Sequence, residues 1–319
     1  MIVFHHKHRA NFYASGRIER AHLMRDDAQA LRQALEAPGA RVTPVWRTRS
    51  LVAEQSQSGD VPQAAMLDIP EFRRRFPDIK LDPAANTILL GLIGGAAHFS
   101  TDVSALAEDD VQSRVAGIAK FADLRAVGPL MEHNEGALLA YARGLAHWHD
   151  RHRFCGVCGA PAAFAEAGHV RRCTNASCNA SHFPRTDPAV IMLVTDGERV
   201  LLGRQRIWPS GQHSVLAGFV EPGESLEDAV AREVLEEVGL KVRDVRYRSS
   251  QPWPFPASIM LGFTAVSDAV EPNVNTDELE KARWFTRDEI KNCPMNDVFR
   301  LPRADSIARR LVEDWMAGN

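Results

Sequence analysis

The chain is predicted to be an α+β protein, with a four-cysteine ribbon separating two α/β regions. Three observations predict this. Short apolar runs of strand length alternate with helical periodicity in both halves. Two close cysteine pairs lie near the middle. A carboxylate-rich helical segment, Gly218 to Leu240 (GFVEPGESLEDAVAREVLEEVGL), follows a strand in the second half. A chain of 319 residues has room for more than one core, and the pattern divides it into an N-terminal α/β domain (1–150) that could be a degenerate copy of the last region, a ribbon (151–185) and a C-terminal domain (186–319).

Composition sets the limits. Hydrophobic content of 45% and charged content of 25% are ordinary for a globular protein. A net charge of −3 argues against a protein built to coat nucleic acid. No apolar run reaches the length of a membrane helix, so no membrane partner is expected. The opening MIVFHHKHRANFYASGRIER lacks the apolar core of a secretory signal, and the final WMAGN carries no readable address. A cytoplasmic protein is expected.

In the first region Thr43–Trp46, Ala64–Ile69 and Thr87–Ile93 read as strands, with a helix at Asp26–Leu35. Gly94-Gly95-Ala96-Ala97 has no following Lys-Ser/Thr, so it is a strand-end turn and not a phosphate loop. Leu138, Leu139, Tyr141, Ala142 and Leu145 give one apolar side to a helix from about Met131 to His152. His147, His149 and His152 follow a water-facing pattern there and read as surface or packing residues.

The ribbon carries Cys155-Gly-Val-Cys158, fourteen residues, Cys173, four residues and Cys178. This spacing fits one tetrahedral zinc per chain, bound by four thiolates. With all four positions filled by protein, such an ion is structural. Gly156 and Gly159 permit the knuckle turn. Arg151, Arg153, Arg171, Arg172 and Arg185 form a basic fringe, either a guide for an RNA 5′ end or a solvated edge. Cys293 stands alone before a proline, as a loop or partly buried thiol.

The last region opens with a hairpin, Val190–Val194 and Val200–Leu202 around Asp196-Gly197. Ser214–Ala217 is a third strand, Ile259–Val266 a further one, and Ser306–Met316 a closing helix. Between them lies the acidic segment. Pro222-Gly223 breaks the strand, Ser225 is placed as N-cap with Asp228 three residues on, and Gly239 ends the helix. Leu226, Ala229, Val230 and Val234 recur at helical spacing on the buried side. Glu233, Glu236 and Glu237 stand at i, i+3 and i+4 and share a face. Their repulsion costs about 0.2–0.5 kcal/mol per pair unless a cation sits among them. A hard divalent ion such as magnesium answers that need, since it prefers carboxylates and substrate phosphates. Arg232 is placed to tether Glu224 or to orient the acids.

Ten residues beyond this segment comes Ser250-Gln-Pro-Trp-Pro-Phe-Pro-Ala-Ser258. Prolines at 252, 254 and 256 hold the chain extended and present Trp253 and Phe255 as stiff flat surfaces. A heteroaromatic ring stacked there gains about 1–3 kcal/mol, as bases do on aromatic side chains.

Gly218–Leu240 resembles the Nudix box of Nudix hydrolases at every position of that pattern. The resemblance implies an α/β/α sandwich that cleaves a nucleoside diphosphate linked to another moiety. Residues 250–258 resemble the SQPWPFPxS signature of the NADH pyrophosphatase family. The ribbon ending in His182-Phe183-Pro184-Arg185 is similar to that family's, with Phe183 where tyrosine is common. Together these motifs cover about Arg125 to Leu311.

That family splits NADH or NAD into nicotinamide mononucleotide and AMP, and some members remove NAD caps from RNA 5′ ends. The resemblance implies that Glu233, Glu237 and Glu278 hold Mg²⁺ or Mn²⁺ with the carbonyl of Ala217. Glu236 is acidic on the same cluster, and Glu236, Glu237 and Glu278 are all candidates for the general base. It implies a dinucleotide pocket lined by Gln251, Pro252, Trp253, Pro254, Phe255, Pro256, Ala257 and Ser258, with Arg125, Phe183, Phe219 and Ala308 as further contacts. It also implies a homodimer. Two other readings compete. One is a Nudix hydrolase of ADP-ribose or diadenosine polyphosphate. The other is a zinc-ribbon nucleic-acid sensor with an inactive Nudix fold, against which the intact glutamates argue.

Overall fold

The computed structural model describes residues 10–14, 17–54 and 61–318, so most of the opening segment tested for a signal sequence lies outside the described residues. No helix among them is long and apolar enough to cross a membrane. The chain forms two units, one running to Arg185 and including Pro254–Ala257, the other made of Thr186–Trp253 and Ser258 onward.

In the first unit Asp27 caps α1 (Ala28–Glu36) by accepting from the N–H groups of Gln29 and Ala30. There follow β1 (Arg41–Trp46), β2 (Arg49–Ala53), β3 (Leu67–Asp68), α2 (Ile69–Arg75), β4 (Thr87–Ile93), β5 (Ala96–Asp102), α3 (Glu108–Val115), β6 (Ala119–Ala122), α4 (Leu124–Val127) and α5 (His133–Arg151). The strand order is β4-β5-β1-β2-β6, with β3 on β1, and β1 runs parallel to β5. Adjacent residues feed opposite faces. Trp46, Leu89 and Phe99 pack with Leu35 and Phe72 on one side, and Val45, Ile88 and Leu90 pack with Leu138 and Leu145 of α5 on the other.

One expectation fails here, and for His149 the choice between surface and packing falls to packing. The strand foreseen over Ala64–Ile69 shrinks to Leu67–Asp68, because Asp68 caps α2 and Pro70 suits its first turn. His149 does not face water. It is buried, its Nε2 lies 2.9 Å from the Gly168 carbonyl, and Arg171 donates to its Nδ1 at 3.0 Å. Burial, with a smaller push from Arg171, holds its pKa down to about 4, so the ring is neutral. The ribbon completes this unit as an antiparallel sheet of β7 (Ala162–Ala165), β8 (Val170–Cys173) and β9 (Ser181–His182).

The second unit contains β10 (Asp187–Thr195), β11 (Arg199–Arg204), β12 (Leu216–Phe219), α6 (Leu226–Val238), β13 (Val242–Trp253), β14 (Ser258–Ser267), β15 (Lys281–Thr286), α7 (Arg287–Lys291) and α8 (Ile307–Met316). Its order is β13-β14-β10-β11-β15, with β12 on β10, and β10 runs parallel to β14. Val190, Met192 and Val194 pack against Ala229, Val230 and Val234 of α6, while Ile191 and Leu193 pack against Ile307 and Leu311 of α8. This is the α/β/α sandwich. The third strand sits slightly later than the expected Ser214–Ala217, since Ser214 instead bridges Gly203.

The two sheets share one plan, each built on a central parallel pair and a short third strand set on its central strand. After that short strand comes α2 in the first unit and α6 in the second. Where α6 carries glutamates, α2 carries Arg73, Arg74 and Arg75, and its Glu71 is bound by Arg74 and Arg75. The N-terminal unit therefore repeats the sandwich without its acidic cluster.

Candidate active site

Local chemistry fixes α6. The hydroxyl of Ser225 accepts from the Asp228 N–H and donates to the Asp228 carboxylate, and Gly239 closes the helix in the left-handed region at φ 67°. Its buried face holds Ala229, Val230, Val234 and Val238, together with two carboxylates, Glu233 and Glu237. Glu233 lies directly against β12. A Cβ on Gly218 would stand 1.8 Å from the Glu233 carboxyl carbon, so only glycine admits the carboxylate there. Gly218 follows Ala217, which pairs with Ile191 on β10.

Glu237 is 4% exposed, and its Oε2 is buried without a hydrogen-bond partner. Burial, with added repulsion from Glu233, Glu278 and Glu236, pushes its pKa up to about 8. Burial also raises Glu233, opposed by the adjacent Arg232. Glu278 is exposed, accepts from Asn275 Nδ2 at 3.2 Å, and is close enough to repel both. Arg232 ties the cluster together. It donates to Glu224 at 2.6 Å, Glu233 at 2.9 Å, Glu236 at 2.8 Å and the Phe219 carbonyl at 2.8 Å.

The expected shared face of three glutamates holds only in part. Neighbours on a helix diverge by about 100°, so Glu236 points away from Glu237 and its half-exposed carboxylate turns to Arg232. Among the described residues, the group that brings at least three metal-ligating atoms within 4.8 Å of one another is the four cysteines. Glu233, Glu237 and Glu278 do not form such a group. Even so, a buried carboxylate oxygen with no partner, flanked by two further acids, is a donor set suited to a hard divalent cation.

The proline–aromatic segment is a hairpin. Gln251, Pro252 and Trp253 end β13, Ser258 starts β14 opposite Trp253, and Pro254–Ala257 form the turn. Pro254 is buried, Pro256 is exposed, and Trp253, Phe255 and Ala257 are half-buried. Phe255 meets Tyr13 edge-on at 5.7 Å, with the guanidinium of Arg125 4.9 Å from its ring centre. Phe183 and Phe219 are exposed, at 66% and 60%.

Two expected contacts turn inward. Ala308 is 3% exposed, on the core-facing side of α8. The Gln251 side chain is fully buried, donating to the Asp305 carbonyl and accepting from the Ile307 N–H, both at 2.7 Å. Gln251 thus fastens the start of α8. Gln251→Ala removes both of these buried hydrogen bonds and is expected to destabilise the protein by about 1–3 kcal/mol. Thermal unfolding measures this, and a changed KM at unchanged Tm would contradict it.

In the ribbon, Cys155 and Cys178 sulfurs lie 3.8 Å apart and those of Cys158 and Cys173 3.4 Å apart. Backbone donors from Cys158 and Val157 hold the Cys155 thiol down to about 6. Sequence reasoning missed His182, whose Nε2 sits 3.2 Å from the Cys155 sulfur. Only Gly159 of the two knuckle glycines takes a positive φ, 75°. The basic fringe loses Arg171, which turns inward to the Ala162 carbonyl and His149. Arg153 pairs with Asp150, and Arg172 faces Glu166 at 3.8 Å. Cys293 is half-buried near Met295.

Comparison with known proteins matches this arrangement. Residues 39–148 match a family model described as an NADH pyrophosphatase-like rudimentary NUDIX domain, residues 150–183 an NADH pyrophosphatase zinc ribbon domain, and residues 185–309 a NUDIX domain. The NAD-capped RNA hydrolase NudC of Mycobacterium bovis (strain BCG / Pasteur 1173P2) is 40% identical over 311 residues, covering 92% of each chain. That of Mycobacterium tuberculosis (strain ATCC 25618 / H37Rv) is likewise 40% identical, with the same coverage. The NAD-capped RNA hydrolase NUDT12 of Homo sapiens is 42% identical over 200 residues, covering 59% of this chain and 43% of that one. With identity of this order along nearly its whole length, and three such domains in sequence, the chain belongs to the NADH pyrophosphatase (NAD-capped RNA hydrolase) family of Nudix hydrolases.

Proposed function

We propose that the chain hydrolyses the pyrophosphate of NADH or NAD to nicotinamide mononucleotide and AMP, and that it removes NAD caps from RNA 5′ ends. The observation that carries this reading is the buried, partnerless Glu237 oxygen beside Glu233 and Glu278, on a helix whose sequence is a complete Nudix box. The names of the relatives support the choice of substrate.

Glu233, Glu237 and Glu278 hold Mg²⁺ or Mn²⁺ with the Ala217 carbonyl. When bound, the cation neutralises the anionic oxygens that repel a nucleophile and stabilises the leaving phosphate. Arg232 holds Glu233 and Glu236 in place through hydrogen bonds to both carboxylates. A carboxylate of the cluster takes the proton of the attacking water, an effect worth about 10²–10⁴ in rate. Trp253 and Phe255 receive the dinucleotide rings, and Phe183, Phe219 and Arg125 are the further contacts that the family resemblance implies. Phe183 has no phenolic hydroxyl, so it contributes stacking only.

Zinc fills the four-cysteine site in a structural role. Cys173→Ser is expected to lower zinc content from one ion per chain to near zero and to lower Tm, measured by atomic absorption and calorimetry. The active species is a homodimer located in the cytoplasm.

Product analysis tests the substrate reading. NADH, NAD, NAD-capped RNA, ADP-ribose and diadenosine tetraphosphate are each incubated with the enzyme and Mg²⁺ or Mn²⁺. The expected result is the highest kcat/KM on a nicotinamide dinucleotide end, with nicotinamide mononucleotide released. A clear preference for ADP-ribose or diadenosine tetraphosphate would overturn it.

A further inference from the structure

The turn Pro254–Ala257 is short of its own donors. Prolines at 254 and 256 remove two backbone N–H groups, so its carbonyls must be satisfied from outside. Arg143 on α5 supplies one donor: its Nη1 donates to the Pro254 carbonyl. Its guanidinium also lies 4.9 Å from the centre of the Phe255 ring, the same distance as that of Arg125. Tyr13 packs edge-on against that ring.

This is an expensive place for a cation. The Nε of Arg143 is buried with no hydrogen-bond partner. Burial disfavours its charge, Asp123 favours it from a distance, and Arg125 opposes it. Leu139, Ala142 and Ala146 on the same helix are buried apolar residues, so packing alone would be served by leucine or methionine here. The position instead holds a cationic side chain with both a flat face for a ring and directed donors for a carbonyl.

We propose that Arg143 is a positioning residue for dinucleotide binding, locking the Pro254 carbonyl and the Phe255 ring in the orientation that receives the substrate. It touches no reacting atom and acts through Phe255. The inference rests on the reading of Trp253 and Phe255 as the surfaces that receive the dinucleotide.

The test is steady-state kinetics on NADH with the full-length enzyme and its Arg143→Met, Arg143→Lys, Phe255→Leu and Arg143→Met/Phe255→Leu variants, with Tm recorded for each. Arg143→Met is expected to raise KM about tenfold, with kcat within about twofold, as for lost uniform binding. Arg143→Lys is expected to fall between, because an ammonium restores a donor but no planar face. In the Phe255→Leu background the Arg143→Met change is expected to add less than about twofold.

Loss of kcat at unchanged KM overturns the proposal. So does a full tenfold effect in the Phe255→Leu background, or failure of both single Arg143 variants to fold. A wild-type enzyme that leaves NADH intact overturns the pocket reading and this role with it. An active wild type with unaffected Arg143 variants overturns only this role.

Discussion

Glu237→Gln is expected to abolish turnover while zinc stays at one ion per chain, and to stabilise the protein in buffer without divalent cations. The first effect follows from removing a cation ligand, the second from burial. The Glu237 carboxyl has a pKa of about 8 in the folded chain against 4.5 ordinarily. Between those values the folded state keeps a proton that the unfolded chain has released. Stability therefore falls as pH rises from 4.5 toward 8, with the full penalty present above 8. Glutamine cannot ionise and escapes that penalty, worth roughly 1–3 kcal/mol once relaxation around the buried group is discounted. Calorimetry from pH 5 to pH 9 should show the wild-type Tm falling relative to the variant. Near wild-type turnover, or parallel Tm curves, would refute the role of Glu237.

Gly218→Ala is expected to be nearly as damaging to activity, for a steric reason. The new methyl would lie 1.8 Å from the Glu233 carboxyl carbon and 1.9 Å from its Oε1. Neither side can yield easily. Gly218 is paired to Val190 on β10, and α6 is anchored by Val230 and Val234 in the core. Glu233 must leave its rotamer and loosen its bond to Arg232. Displacing a ligand by about 1 Å costs about 10²-fold in rate. Measured kcat/KM and Mn²⁺ affinity should fall together while Tm shifts little. Retention of more than about a tenth of wild-type kcat/KM would contradict the placement of Glu233 against β12.

The sequence was most readable where local chemistry decides structure. Ser225, Asp228 and Gly239 set the limits of α6, and Asp196-Gly197 set the β10–β11 hairpin, because caps and turns depend on residues a few positions apart. The four cysteines were legible for the same reason. Strand β13 was hidden by its polar run of Arg243, Asp244, Arg246 and Arg248, which an exposed edge strand tolerates. Strands β2 and β5 were hidden by Ser50, Ser100 and Thr101, polar side chains that are nonetheless buried; Ser100 is satisfied by the Thr43 carbonyl.

The site residues divide in the same way. Spacing marked Glu233 and Glu237 as neighbours, but only the meeting of β12 with α6 explains Gly218. Gln251 and His149 look like surface or pocket residues in sequence, and each is consumed by a carbonyl more than 15 residues away. The repeated plan of the two sheets is a property of strand pairing. A degenerate copy was conceivable from the sequence but not shown by it, because α2 carries Arg73, Arg74 and Arg75 where α6 carries glutamates.

The central claim is that Glu233, Glu237 and Glu278 grip a divalent cation. Anomalous diffraction from crystals soaked in Mn²⁺ tests it most directly. A manganese peak within about 2.5 Å of oxygens from these three side chains is the predicted result. Crystals that bind substrate yet show no anomalous density among those carboxylates would contradict it.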